Sequence, residues 1–140
     1  MNGFFRNILA VIVGWVLGSV ANMGLVQLGH LVFPLEGIDP NNMQALADVL
    51  PTLDFQYFIF PFLAHAIGTF IGALFAVLIA KNHQLLVCML IGLLFFVGGV
   101  MVNTMLSGPK WFTVMDLVLA YFPMAWLALK TTLKKGKRLD

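Results

Sequence analysis

Four long apolar runs separated by three polar breaks organise this chain. They cover approximately residues 7–33, 57–80, 85–106 and 111–129. Crossing the hydrocarbon core of a bilayer as a helix takes about 20 apolar residues, so each run is long enough to span. The breaks at 81–84 (Lys-Asn-His-Gln) and 107–110 (Ser-Gly-Pro-Lys) are tight, which makes sequential spans antiparallel neighbours. The break at 35–54 is longer and has a pattern of its own. Asp39 and Pro40 suit the cap and first position of a helix, and Met43, Leu46, Ala47 and Leu50 then share one face until Pro51 ends it. The expected fold is all-α: a four-span transmembrane helical bundle in one integral domain, 1–140, with a short amphipathic surface helix between the first two spans. Pro123, in the middle of the fourth run, is expected to kink it.

Composition supports that reading. The chain is 61% hydrophobic and 10% charged, with thirteen Phe in 140 residues, too little charge to coat a soluble domain of this size. Arg6 ahead of an apolar core, with Ser19-Val20-Ala21 beyond, resembles a cleavable signal segment, but the apolar stretch continues through Leu25, Val26, Leu28 and Leu31. An uncleaved first span is the expectation. Arg6, Lys81, Lys130, Lys134, Lys135, Lys137 and Arg138 fall on one side of a four-span arrangement and only Lys110 on the other. The positive-inside rule then puts both termini, with a basic and mobile tail at 130–140, in the cytoplasm of a cell whose inner membrane holds the chain. The net charge of +2 collects at that face, which points to topology and lipid and not to nucleic acid. One cysteine, Cys88, sits in an apolar run, excluding an internal disulfide and reading as a small packing residue.

The polar residues inside the runs carry the remaining information. In the second span Pro61, His65, Gly68, Thr69, Gly72 and Ala76 fall on one narrow face, opposite Phe, Leu, Ile and Val. The first span adds Asn22, Gln27 and His30, the third Asn103 on a face with Gly99, Phe96, Gly92 and Cys88, and the fourth Thr113 and Asp116. All lie in or near the half of the spans expected to be outermost. A carboxylate at that depth is costly unless paired, protonated or hydrated, and His65 is the partner that depth and face select for Asp116. A His65, Asp116, Asn103, Asn22, His30, Gln27 and Thr113 cluster open to the outside is therefore expected, as a binding or proton or ion site or as packing glue. No cofactor is expected. His30 with His65 could hold a haem, and His30, His65 and Asp116 a zinc ion, but no close-spaced ligand pair supports either. Gly14 with Gly18, and Gly68 with Gly72, have the spacing that brings helices into close contact, within the chain or between copies. A faint echo links Gly18 and Asn22 with Gly99 and Asn103, and Tyr57, Phe58 and Pro61 with Tyr121, Phe122 and Pro123; chance similarity accounts for it as well as duplication does.

No nucleophile with a base, phosphate-binding loop or catalytic carboxylate pair is visible, which leans away from an enzyme. Three functions follow in order of expectation. The first is an accessory or scaffold subunit of a larger membrane assembly or homo-oligomer, in contact with membrane lipids. The second is a small oligomeric transporter or proton or ion pathway. The third is a binding protein for a lipid- or quinone-like ligand. A sealed, dry cluster would favour packing, and a cavity open to the outer side would favour transport or binding.

Overall fold

A computed structural model describes residues 2–133 of the chain; the expected mobile basic tail falls largely outside that range. Four helical stretches there are long and apolar enough to cross a membrane. Helix α1 spans Gly3–Val32, α3 Ile59–Ile79 and α4 Gln84–Met105, while the fourth stretch is divided into α5, Lys110–Leu119, and α6, Phe122–Leu133. A short helix α2, Met43–Val49, lies between the first two spans and runs into a 3-10 turn at Leu50–Thr52. The expected all-α, four-span bundle with a short intervening helix is what the chain forms.

Local chemistry explains where the elements begin. The cap of α2 is Asn42, whose side-chain oxygen accepts from the Ala45 amide at 3.1 Å. Asp39, expected in that role, instead accepts from the Asn41 amide at 2.9 Å and stabilises the turn before the helix. The helix is therefore one turn shorter than its sequence pattern suggested. At the other end of the bundle, Asn7 of α1 holds the α3–α4 turn. Its Nδ2 donates to the Asn82 carbonyl and side-chain oxygens, and its Oδ1 accepts from the Lys81 amide. Arg6 Nε donates to the carbonyl of Ile79, one of the last α3 carbonyls left without a helical partner.

The fourth span is broken, not merely kinked. Ala120 N–H closes the last α5 bond on Asp116 O, and Ala125 N–H bonds Tyr121 O in α6. Pro123 has no N–H to offer the carbonyl of Leu119, and its ring would collide with that carbonyl in a continuous helix. Ala120 and Tyr121 take up the discontinuity.

Helix α3 is the centre of the bundle, packed against α1, α4 and α6. Its small face meets the small face of α1. A Cβ built on Gly14 would lie 2.5 Å from the Gly72 carbonyl, and one on Gly18 would lie 2.6 Å from the Gly68 carbonyl. The two GxxxG pairs thus fit each other within one chain. Ala73, Ala76, Val77, Ile91, Cys88, Ala125 and Ala128 fill the rest of the core at this end, all essentially inaccessible. The core is built of small residues, so backbone proximity and dispersion, not bulky side chains, hold the helices together. Helix α1 is peripheral, with only Ala10, Gly14 and Gly18 buried.

Candidate functional site

The end of the bundle away from the termini is built differently. His65 lies six residues from the start of α3 and Asp116 six residues from the start of α5, both at Ile59 and Lys110 respectively. Both helices begin at that same end, so each side chain sits about 9 Å along its helix. His65 Nδ1 and Asp116 Oδ1 are 2.8 Å apart. The Tyr121 hydroxyl donates to Asp116 Oδ2 at 2.8 Å and has its oxygen 3.0 Å from His65 Nδ1. Asn103 Nδ2 donates to the Gly99 carbonyl at 2.9 Å and to Asp116 Oδ2 at 3.3 Å, and the Thr113 hydroxyl donates to Asn103 Oδ1 at 2.9 Å.

These bonds form one directed network. Thr113 orients the Asn103 amide, which turns its N–H₂ toward the carboxylate. Asp116 then accepts from Asn103 and Tyr121 and shares a hydrogen bond with His65 Nδ1, three partners to a group that is 0% exposed. A buried carboxyl group without partners would be very costly, and one with three good partners is not.

Tyr121 is the member that the sequence pattern did not single out. It follows Asp116 by five residues, about 140° round a continuous helix, and would point elsewhere. The break before α6 turns it back to the carboxylate. Gly99 supplies the room, since a Cβ there would run into the Tyr121 hydroxyl. A continuous helix would put Asp116 on one face with Ala120, Pro123 and Leu127; beyond Ala120 the break removes that continuity. The one cue available in the sequence was Pro123, four residues after Leu119.

The network is sealed on one side and open on the other. Asp116 and Tyr121 are inaccessible, whereas the His65 side chain is 14% exposed and lines a cavity of about 460 Å³. The cavity lies between the α1–α3 pair and the last turn of α4. Its walls include Val26, Phe33, Phe60, Val102, Leu106 and Phe112, and Leu46 and Leu50 close it from above. Asn22, His65 and Asn103 are the polar side chains at its inner end. With Nδ1 committed to Asp116, the imidazole atom left for anything in the cavity is Nε2. Asn22 Oδ1 is buried without a hydrogen-bond partner.

His30 and Gln27 are placed apart from the network. Both line the cavity on the α1 side, and Gln27 contacts only Met23 Sδ, at 3.9 Å, among polar partners. Among the described residues no three His, Cys, Asp or Glu side chains come together, so His30 does not join His65 and Asp116 in a shared ligand set. Cys88 is buried and free, its Sγ donating to the Leu85 carbonyl at 3.2 Å.

Fold and composition together define a four-span helical membrane protein. Comparison with family models, with curated proteins and with solved structures finds no match, so the residues themselves carry the functional argument.

Proposed function

We propose that this chain is a membrane-embedded binding protein for an amphipathic, lipid-like molecule. The observation that carries the reading is the position of His65: one ring nitrogen is fixed by a sealed carboxylate, and the ring forms part of the inner end of an otherwise apolar cavity. A side chain serving packing alone has no use for that second surface. Ligand cavities of about 300–1,000 Å³ with apolar walls and a few convergent polar groups are the usual form of a small-molecule site, and this one falls in that range. Met23 and Gln27 on α1 and Val102 on α4 line it and are also exposed, which leaves an opening between those helices through which a chain in the bilayer could enter. With both termini on the cytoplasmic side, the cavity belongs to the outer half of the membrane, and α2 forms its cover.

A transporter or proton pathway is the second reading. The fourth span is discontinuous beside the ionisable pair, an arrangement that transporters use at their binding sites. The accessory-subunit reading rests on size and composition and gains no separate support from the geometry.

Native mass spectrometry of the purified chain tests the binding reading. A lipid-sized adduct is expected on the wild type and on Val20→Trp, which changes an exposed position, but not on Val26→Trp, which fills the cavity wall. Absence of an adduct, or an adduct indifferent to Val26→Trp, contradicts it.

A further inference from the structure

The cavity has two polar levels with an apolar stretch between them, and α1 and α3 set their spacing. The two helices run antiparallel: Asn22 packs on Gly68, Phe60 on Gly29, and the Tyr57 ring lies 6.1 Å from that of Phe33. Depth can therefore be read along either helix. His65 marks the inner level; Tyr57, eight residues earlier, marks the outer one, joined on the α1 side by His30. At about 1.5 Å per residue in α3, and about 2 Å through the 3-10 turn at Phe55–Phe58, the levels are about 13 Å apart. Phe60 and Pro61 on α3 and Val26 on α1 line the stretch between them, and Gln27 stands at its exposed rim.

An ordinary lipid matches only one of these levels. Its head stays at the hydrated membrane surface, which the outer level adjoins where Trp111 packs on Phe58. Its chain runs inward as plain hydrocarbon. Methylenes filling the inner end would displace water from His65 and leave its second ring nitrogen unpaired, at the usual cost of a buried polar group. Asn103 cannot relieve this, because its amide is committed to Gly99, Asp116 and Thr113. Nor does the cost depend on where the proton of the His65–Asp116 pair resides. With Nδ1 bound to Asp116, Nε2 either carries a hydrogen and donates or carries a lone pair and accepts. A hydroxyl serves both cases, and a methylene neither.

We infer that the cavity takes a lipid whose chain carries an oxygen function partway along it, met by His65 while the head stays at the level of Tyr57 and His30. This rests on the binding reading above and adds the chemistry of the chain. The head can be charged or uncharged, since the spacing of the two levels and not the head selects the occupant.

Binding to the protein in nanodiscs tests this with three chains. They are oleic acid, ricinoleic acid, which adds a hydroxyl far from the carboxyl, and alpha-hydroxyoleic acid, which adds it next to the carboxyl. Each is used as the free acid and as its glycerol monoester, so that no result hangs on one head. With either head, the ricinoleoyl compound is expected to bind about tenfold or more tightly than the oleoyl one, as a hydrogen bond to an otherwise unpaired group entails. The alpha-hydroxyl compound is expected at the oleoyl level. Val26→Trp should abolish binding of all of them, and His65→Phe should remove the ricinoleoyl preference. A misfolded His65→Phe would lose every probe, and the order of the three chains on the wild type then decides alone. Equal Val26-dependent binding of oleoyl and ricinoleoyl compounds, or an equal gain from the alpha-hydroxyl, overturns the chain assignment while the binding reading stands. A ricinoleoyl preference that survives in His65→Phe overturns it as well. If no probe binds in a Val26-dependent manner the assignment also falls, and the adduct seen by native mass spectrometry decides separately whether the cavity has another ligand.

Discussion

The two ends of this bundle solve opposite problems with the same helices. From the middle of the bundle toward the termini, α1 and α3 touch backbone to backbone through Gly14, Gly18, Gly68 and Gly72, and α4 adds Ile91 and Phe95 to the seam. Along that seam contact distance is everything. At the far end α1 still meets α3, at Gly29 and Phe60, but α4 leaves α1 and leans with Asn103 toward α5. The space this opens is the cavity, and Asn22, His65 and Asn103 gather at its edge. The comparison teaches that an ionisable pair is tolerated in an apolar bundle by dividing its surfaces: the carboxylate is walled in by donors, and only the imidazole reaches the space.

The largest effect is expected at the tight end. Gly18→Val places new methyl groups against the Gly68 carbonyl and the Gly72 backbone, neither of which can move without parting the helices. A loss of about 2–3 kcal/mol is expected from such overpacking, read as a lowered melting temperature in detergent. Gly24 lies less than two turns on in the same helix with nothing within 4 Å of a built Cβ, so Gly24→Ala is expected to leave that temperature almost unchanged. Equal effects at the two glycines would erase the contrast between seam and surface.

An intermediate effect is expected at the sealed carboxylate. Asp116→Asn keeps the shape but turns a carboxyl with three hydrogen-bond partners into an amide, which can accept on only one side. About 1–3 kcal/mol should be lost, as for a buried donor left without a partner, with the tight end unaffected. Ligand binding should fall with it, because His65 loses the group that fixes Nδ1. A variant as stable as the wild type would mean that the network is not holding the ring.

The sequence showed the larger features because they are periodic. Span lengths, the turns at 81–84 and 107–110, and the small face of α3 are all repeated patterns that a helix converts directly into position. His65 and Asp116 could be matched by depth because both helices start at the same end. Tyr121 could not be, since its direction depends on a break whose position is set by one missing amide at Pro123. The cavity was equally hidden. It arises from the divergence of α4 from α1, a property of three helices together, and no single run of residues encodes it. Within the break at 35–54, Asn42 caps α2 in place of the expected Asp39, whose side chain the preceding turn already uses.

The most direct measurement is nitrogen-15 solid-state NMR of histidine-labelled protein in bilayers, titrated with the lipid that native mass spectrometry finds bound. His65 Nε2 should shift strongly as the site fills, while Nδ1, held at 2.8 Å from Asp116, should change far less. Saturable binding that leaves both His65 nitrogens unperturbed would contradict a ligand site at this imidazole.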